Sequence, residues 1–312
     1  MTNGTTQLDV VARRRIARDV VELELRHPGD ERLPDWAPGA HVALTLPNGM
    51  VRPYSLCGDR WDAYSFVVAV RRDAEGAGGS AFVHDRLAVG DTVRVGAPRT
   101  SFPLVPGRTC TFVAGGIGIT PFLSMMQAAE RLDMPYRLLY VGRDVGTMPY
   151  LHDLLDGPHA GSLEVFTTAT GGRPDLAEAI GPVAAGDRVY VCGPPGLAAR
   201  VEEIGRAWPA HTLRTESFGC RTGLDTDEPF TAELRRTGRT LTVPRTSTLL
   251  EAIHASGVTV MSSCLTGTCG ACETPVLEGA VDHRDTILVD GEDGVMFPCV
   301  SRARDESVVL DL

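Results

Sequence analysis

The 312-residue chain contains no lysine; all 30 of its basic residues are arginine. Schiff-base chemistry and a phosphate-binding P-loop both need a lysine ammonium, so both are excluded. Genomic base composition accounts for the bias without a functional cause. No apolar run approaches the roughly 18 residues that a membrane-spanning helix requires. The opening stretch MTNGTTQLDVVARRRIARD has no apolar segment behind its basic residues, so no signal peptide is expected and a cytoplasmic location is. A basic footprint is missing too. The net charge of −10 argues against nonspecific nucleic-acid binding. What remains is ordinary for a globular enzyme: 43% hydrophobic and 22% charged residues, in a length that suits two or three domains.

The acidic excess is uneven. From Glu228 onward there are 13 acidic and 7 basic residues, a net −6, which makes this segment a candidate docking surface as well as a solvated face. Cysteine usage is uneven in the same way. Cys57, Cys110, Cys192 and Cys220 are scattered, whereas the other four fall within 36 residues. Eight cysteines in a cytoplasmic chain do not read as a disulfide framework.

The first hundred residues are rich in short β-branched or alternating runs, at 10–12, 20–25, 41–46, 65–70 and 91–95, punctuated by Pro-Gly, Pro-Asn-Gly and Gly-Asp turns. With one short helix expected at 80–87, this reads as a small antiparallel barrel. The pattern then changes to strands at 109–114, 136–141, 163–168, 188–192 and 211–217. Helices at 122–132, 150–155, 175–180 and 196–208 alternate with them, and Pro121 suits a first helical position. That alternation predicts a parallel α/β sheet. The polar stretch 219–229 reads as a linker. Beyond it, runs at 230–235 and 240–244 form a hairpin about Thr237-Gly238. Thr248 and Glu251 have capping-box spacing at the head of a helix over 249–255, which Gly257 ends. The expected domains are 1–105, 106–220 and 228–312.

Cys264-Leu-Thr-Gly-Thr-Cys269-Gly-Ala-Cys272 has the spacing C-x4-C-x2-C, and Cys299 follows after 26 intervening residues. This is the plant-type 2Fe-2S ferredoxin pattern. Three thiolates on one loop must face two neighbouring irons, so the backbone has to curl, and Gly267 and Gly270 permit the positive φ that a curl needs. A structural zinc site usually shows paired CxxC knuckles, and there is one such pair here. A reactive dithiol would use Cys269 and Cys272 and leave Cys264 and Cys299 without a role.

A one-electron carrier needs a supplier. In Arg52-Pro53-Tyr54-Ser55-Leu56, the end of the third strand region, a tyrosine ring suits an isoalloxazine face. A serine hydroxyl suits the flavin N5 and an arginine suits a flavin phosphate. Gly76-Ala77-Gly78-Gly79-Ser80 leads into the first helix, where free amides receive anions; a plain flexible loop is the alternative. Gly115-Gly116-Ile117-Gly118-Ile119-Thr120-Pro121 joins a strand to a helix like a nucleotide-phosphate loop, with Pro121 where the dinucleotide fingerprint has its third glycine. Cys192-Gly193-Pro194-Pro195-Gly196 is a second turn of the same kind in the same expected sheet.

On these residues, together with Glu216-Ser217-Phe218, the run Cys272 to Gly279, His283-Arg284-Asp285 and Cys299-Val300-Ser301-Arg302, the chain resembles the phthalate dioxygenase reductase family of the ferredoxin–NADP reductase superfamily along nearly its whole length. The resemblance implies a flavin-binding β-barrel, a parallel α/β nucleotide-binding domain and a β-grasp ferredoxin domain, in that order. It implies FMN held by Arg52, Tyr54, Ser55, Gly78, Gly79 and Ser80. NADH is expected at Gly116, Gly118, Thr120, Arg143, Asp144, Cys192, Gly193, Pro194 and Glu216, with Phe218 near the flavin ring. Ser55, Thr120 and Phe218 are the expected catalytic contacts, and Cys264, Cys269, Cys272 and Cys299 the cluster ligands. Leu265 and Thr266 depart from the Arg-Glu-type pair expected between the first two cysteines, which changes the charge beside the cluster. The implied function is a monomeric reductase passing electrons from NADH to a separate terminal oxygenase, Rieske-type or haem-thiolate. A redox adaptor or sensor without steady turnover, and a zinc-stabilised nucleotide-binding protein, are the readings of a different class.

Overall fold

The computed structural model describes residues 5–73, 78–216, 227–262, 267, 270–285 and 294–312. The chain divides into two compact units, Met1–Phe218 and Gly219–Leu312.

The first unit opens with strands β1 (Thr6–Ala17), β2 (Val20–Arg26), β3 (His41–Thr45), β4 (Val51–Ser55), β5 (Ser65–Arg71) and β6 (Thr92–Val95), with the seven-residue helix α1 (Gly79–Asp85) between β5 and β6. Their order is β4-β3-β6-β1-β2-β5, antiparallel throughout. The two end strands are bridged where Leu56 faces Val68, which closes the sheet into the expected barrel. Side chains alternate across the wall as a period of two demands. Val21, Leu23 and Leu25 of β2 fill the barrel core beside Val42, Leu44 and Val68, whereas Val20 points outward. Each such fully buried aliphatic side chain contributes about 1.5–3 kcal/mol relative to exposure. Residues 51–55 form a separate strand rather than the end of β3. The turn at Asn48-Gly49, with Gly49 at φ +84°, reverses the chain, and Leu46 donates its amide to the Met50 carbonyl.

Next come β7 (Cys110–Gly115), α2 (Thr120–Arg131), β8 (Tyr136–Gly142), α3 (Leu151–Asp156), β9 (Leu163–Thr167), α4 (Thr168–Gly171), α5 (Leu176–Ile180), β10 (Arg188–Cys192), α6 (Pro195–Gly205) and β11 (Leu213–Glu216). The sheet is parallel, in the order β11-β10-β7-β8-β9. Its central strands are covered on both faces. Phe112, Ala114, Leu138, Tyr140 and Tyr190 face α2, while Val113, Leu139, Val189 and Val191 face α5 and α6. The α2 side holds an aromatic group, with Phe112 5.1 Å from Phe122 and 5.6 Å from Tyr190 between ring centroids. Because β8–β9 lie on one side of β7 and β10–β11 on the other, the topology reverses between β7 and β10. Open α/β sheets bind ligands beyond the carboxyl ends of their strands at such a point.

Barrel and α/β lobe are packed together. Ile117, from the turn after β7, shares a cluster with Val20, Ala69, Cys57 and Tyr150. The Tyr150 hydroxyl lies 3.3 Å from Cys57 Sγ, and Arg18 of the barrel pairs with Asp144 at 3.2 Å.

In the second unit, β12 (Phe230–Leu234), β13 (Arg239–Val243), β14 (Thr274–Glu278), β16 (Val295–Met296) and β18 (Ser307–Leu310) form a mixed sheet in the order β13-β12-β18-β14-β16. The short strands β15 (Val281–Asp282) and β17 (Arg302–Ala303) pair separately. Helix α7 (Leu249–Ala255) buries Leu249, Leu250 and Ile253 against this sheet, the β-grasp arrangement. The capping box at its head is present: Thr248 Oγ1 accepts from the Glu251 amide and Glu251 accepts from the Thr248 amide, each at 3.0 Å.

One glycine tests the packing of the first unit. Gly39 has φ +82°, and a Cβ there would lie 2.0 Å from the Phe102 carbonyl oxygen and 2.6 Å from Met125 Cε. Gly39→Ala is expected to cost about 2 kcal/mol or more. That lowers the thermal midpoint by roughly 4–8 °C in a circular-dichroism melt, and an unchanged midpoint refutes the packing described.

Candidate active site and iron–sulfur domain

The two glycine-rich turns meet at the switch point. A Cβ on Gly118 would lie 2.1 Å from the Cys192 carbonyl oxygen and 2.8 Å from the Gly193 amide nitrogen. One on Gly193 would lie 2.8 Å from Gly115 Cα, and one on Gly115 2.6 Å from Pro194 Cδ. Gly118 and Gly193 are therefore required by backbone-to-backbone contact, and Gly115 by the Pro194 ring and Leu197 packed against it. Gly116 differs: it has φ +54° and open space where a Cβ would project, as a turn that receives a ligand should. Pro121 lies in the first turn of α2, where its missing N–H leaves no lost hydrogen bond. Thr120, buried, donates its hydroxyl to the Ile117 carbonyl at 3.1 Å and closes the turn.

Two residues that sequence reasoning missed hold this turn in place. Tyr140 shares its single hydroxyl proton between the carbonyls of Gly116 (3.1 Å) and Pro149 (2.9 Å). Ile117 anchors the turn to the barrel wall. Ile117 sits inside the glycine-rich motif, but its packing on the barrel is not readable from it, and Tyr140 belongs to no motif. Tyr140 looks like any buried strand residue until its partners, 24 and 9 positions away, are known.

Cys192 ends β10 and stands beside Glu216 at the end of β11, with its thiol 3.9 Å from Glu216 Oε2. Burial pushes the Glu216 carboxyl up to about 8, despite an opposing effect of the Cys192 hydrogen bond. Burial, reinforced by Glu216, holds the Cys192 thiol well above its ordinary value. At neutral pH both groups are neutral, so the crevice floor carries no formal charge from this pair. Gly193 is buried and Pro194 exposed at the same turn.

Arg143 and Asp144 follow β8. Arg143 is exposed, whereas the Asp144 carboxylate accepts from the Gly146 amide (3.0 Å) and pairs with Arg18 (3.2 Å). Asp144 therefore ties its own turn to the barrel.

In the barrel, Arg52 and the head of α1 come together. A Cβ on Gly79 would lie 3.0 Å from Arg52 Cγ and Nε, so the guanidinium stem passes directly over that glycine. Gly78 precedes it at φ +87°, and Ser80 Oγ accepts from the Asp73 amide at 3.0 Å. A guanidinium beside the amides at the start of a helix suits a flavin phosphate. Tyr54 and Ser55, being consecutive, take opposite faces of β4. Tyr54 stands across from Val42 and packs on the barrel core, where burial pushes its phenol up to about 12. Ser55 stands across from His41 and is buried.

In the second unit Cys272 and Cys299 are both buried, in the core of the β-grasp domain. Gly267 and Gly270 take φ +70° and +73°, the conformation expected of a curled cluster loop. A Cβ on Gly267 would lie 2.6 Å from Val300 Cγ2 and 2.9 Å from Asp285 Cα, so the loop is pressed against the segment that carries Cys299. Two thiols in place, with the loop glycines in the left-handed region, fit a 2Fe-2S cluster. Cys264, Cys269, Leu265, Thr266, Phe218, Gly76 and Ala77 lie outside the described residues.

Comparison with known proteins agrees with this division. Residues 7–103 match the oxidoreductase FAD-binding domain and residues 232–304 the 2Fe-2S iron-sulfur cluster binding domain. The chain is 39% identical to the phthalate 4,5-dioxygenase oxygenase reductase subunit of Pseudomonas putida, over 100% of this chain and 98% of that one. A solved phthalate dioxygenase reductase, described as a modular structure for electron transfer from pyridine nucleotides to [2Fe-2S], superposes with a TM-score of 0.83 at 36% identity, covering 99% and 98% of the two chains. An intact type IV self-sufficient cytochrome P450 monooxygenase matches 99% of this chain with 41% of its own, at 36% identity and a TM-score of 0.75. On the strength of these full-length matches the chain belongs to the phthalate dioxygenase reductase family, oxidoreductases that use a pyridine nucleotide, a flavin and a 2Fe-2S cluster to supply electrons to an oxygenase.

Proposed function

We propose that the chain passes electrons from NADH through FMN and a 2Fe-2S cluster to a separate terminal oxygenase of the Rieske type, a ring hydroxylase or O-demethylase. It works as a monomer in the cytoplasm. Among the described residues no helix is long and apolar enough to cross a membrane. The observation that carries the reading is the contact of the two glycine turns at the switch point, in the same compact unit as the barrel strand that bears Arg52, Tyr54 and Ser55. When bound, the flavin accepts two electrons at once and releases them singly to the cluster; that chemistry is the cofactors' own.

The residues supply placement. The backbone of Gly116 and Gly118 receives the nucleotide phosphates, with Arg143 and Asp144 at the ribose. Thr120, Pro194 and the Cys192–Gly193 turn flank the nicotinamide, with Glu216 beneath it, and Phe218 covers the flavin ring. Arg52, Gly78, Gly79 and Ser80 hold the flavin phosphate, and the flavin is FMN rather than FAD. Ser55 supplies a hydroxyl at the flavin N5. Cys264, Cys269, Cys272 and Cys299 ligate the cluster. A haem-thiolate oxygenase is the second reading, favoured by the match of the whole chain to two fifths of a self-sufficient cytochrome P450.

Purified protein mixed with NADH and cytochrome c is expected to reduce it rapidly, and its absence sinks the enzyme reading in favour of an adaptor or sensor. Mass spectrometry of the released flavin distinguishes FMN from FAD. Cys272→Ser is expected to abolish the cluster's visible absorbance and cytochrome c reduction while leaving NADH-to-ferricyanide activity within about two-fold of wild type; loss of both in folded protein contradicts the division of labour.

Glu216 sets a pH dependence. Its carboxyl titrates near 8 in the fold and near its ordinary value of 4.5 when unfolded, so the folded chain binds more protons between those values and stability falls as pH rises through that window. Above about 8 the crevice gains a negative charge facing an anionic dinucleotide. KM for NADH is expected to rise across pH 7–9 in the wild type and to stay flat in Glu216→Gln. A matching rise in the variant rules the carboxyl out.

A further inference from the structure

Two short motifs of the second unit, His283-Arg284-Asp285 and Cys299-Val300-Ser301-Arg302, carry arginines that ligate nothing in the electron path, yet the two arginines meet at one buried carboxylate. Asp227 has no exposed side-chain surface. Arg284 grips it with both guanidinium nitrogens, Nη2 to Oδ1 at 2.6 Å and Nη1 to Oδ2 at 3.2 Å, and uses Nε on Asp282 at 2.7 Å. Arg302, the largest fully buried side chain among the described residues, approaches the same carboxylate with Nε 3.8 Å from Oδ2. Its other nitrogens donate to backbone carbonyls, Nη1 to Ser247 (2.8 Å) and Nη2 to Glu228 (3.1 Å) and Pro244 (3.2 Å). Its guanidinium carbon lies 4.9 Å from the Phe230 ring centre.

A guanidinium is an expensive group to bury, and this one is surrounded by acceptors that belong to different parts of the chain. The two arginines sit on the segments that hold the cluster loop. Arg302 is three residues beyond Cys299, and Arg284 precedes Asp285. Val300 and Asp285, one from each segment, flank Gly267 so closely that a Cβ there would lie 2.6 Å from Val300 Cγ2 and 2.9 Å from Asp285 Cα. The segments are also stitched directly, by the strand pair Asp282–Arg302 and by the Arg284 amide donating to Ser301 Oγ at 3.4 Å.

We propose that Asp227, Arg284 and Arg302 form a buried positioning triad for the iron–sulfur centre, holding the Cys299 segment and the buttress of the cluster loop in register. None of the three ligates iron. The triad acts through the position of Cys299 and Gly267 and through its fixed charges.

The test uses the full-length, cluster-loaded protein and the variants Asp227→Asn and Arg302→Gln, with three readouts: bleaching of the cluster's visible absorbance under chelator, the cluster midpoint potential, and NADH-to-ferricyanide activity. Bleaching at least about ten-fold faster is expected, the size of effect seen when a group that orients a metal's ligands is lost. Potentials should move in opposite directions. Losing the carboxylate charge favours the reduced, more negative cluster and raises the potential, whereas losing the guanidinium lowers it. The double variant should bleach no faster than the worse single variant, because the three groups act as one unit. Ferricyanide activity should stay within about two-fold of wild type.

Wild-type bleaching in either single variant, potentials that move the same way, or additive bleaching in the double variant overturns the triad. If Asp227→Asn assembles no cluster, Arg302→Lys decides: it keeps the charge and loses the planar fork. Faster bleaching then supports the triad and a wild-type lifetime overturns it. The inference rests on the cluster assignment, whose failure looks different: the wild-type protein itself would be colourless after removal of flavin.

Discussion

Where β7 and β10 end, the carbonyl of Cys192 occupies the place that a Cβ on residue 118 would need, 2.1 Å away. That one backbone contact organises the upper edge of the nucleotide lobe. It draws the two strand-to-helix turns together at the topological switch, sets the head of α2 against the Cys192–Gly193 turn, and leaves Gly116 facing open space. Position 118 has room for nothing larger than hydrogen, and the same holds for Gly115 against Pro194 and Gly193 against Gly115. The crevice is a consequence of this contact as much as of the sheet.

The same turn is also fixed sideways. Ile117 packs on the barrel beside Cys57, the residue that follows the Arg52–Leu56 strand motif, and Tyr140 holds the Gly116 carbonyl from below. Tyr150, whose hydroxyl meets Cys57, adjoins Pro149, whose carbonyl accepts from Tyr140. Flavin strand and nucleotide turn are thereby joined through packed side chains in one compact unit. A two-electron transfer between bound reactants depends on such placement, because misplacement by about 1 Å costs on the order of 100-fold in rate. The ferredoxin domain is a separate unit with its own core and its own buried ion network, as suits a module that trades electrons one at a time.

Much of this was legible from residues. The alternation in β1–β3 and the strand–helix rhythm of the second lobe are local patterns, and Thr248 with Glu251 signals a cap by spacing alone. The positive φ of Gly267 and Gly270 follows from what a three-thiolate loop demands. What escaped was non-local or aperiodic. Strand β4 was merged with β3 because Pro53 breaks its pattern; β4 lies at the end of the strand order, where a proline is tolerated. Strands β14 to β18 are two to five residues long, and β18 pairs with β12 some 75 positions earlier, so no window on the sequence displays them. Arg302 belongs to a recognisable motif, but its partners Asp227 and three carbonyls lie far from it in sequence, and the pairing of Asp144 with Arg18 spans 126 positions.

The central claim is that the contact between the Gly118 and Cys192 backbones builds the nucleotide crevice without serving the flavin or the cluster. Stopped-flow reduction of the bound flavin by NADH in Gly118→Ala tests it most directly. The added methyl must push the two turns apart, so flavin reduction should slow by about 100-fold, with flavin content and the cluster absorbance at wild-type levels. Reduction at the wild-type rate in a fully loaded variant would contradict the account.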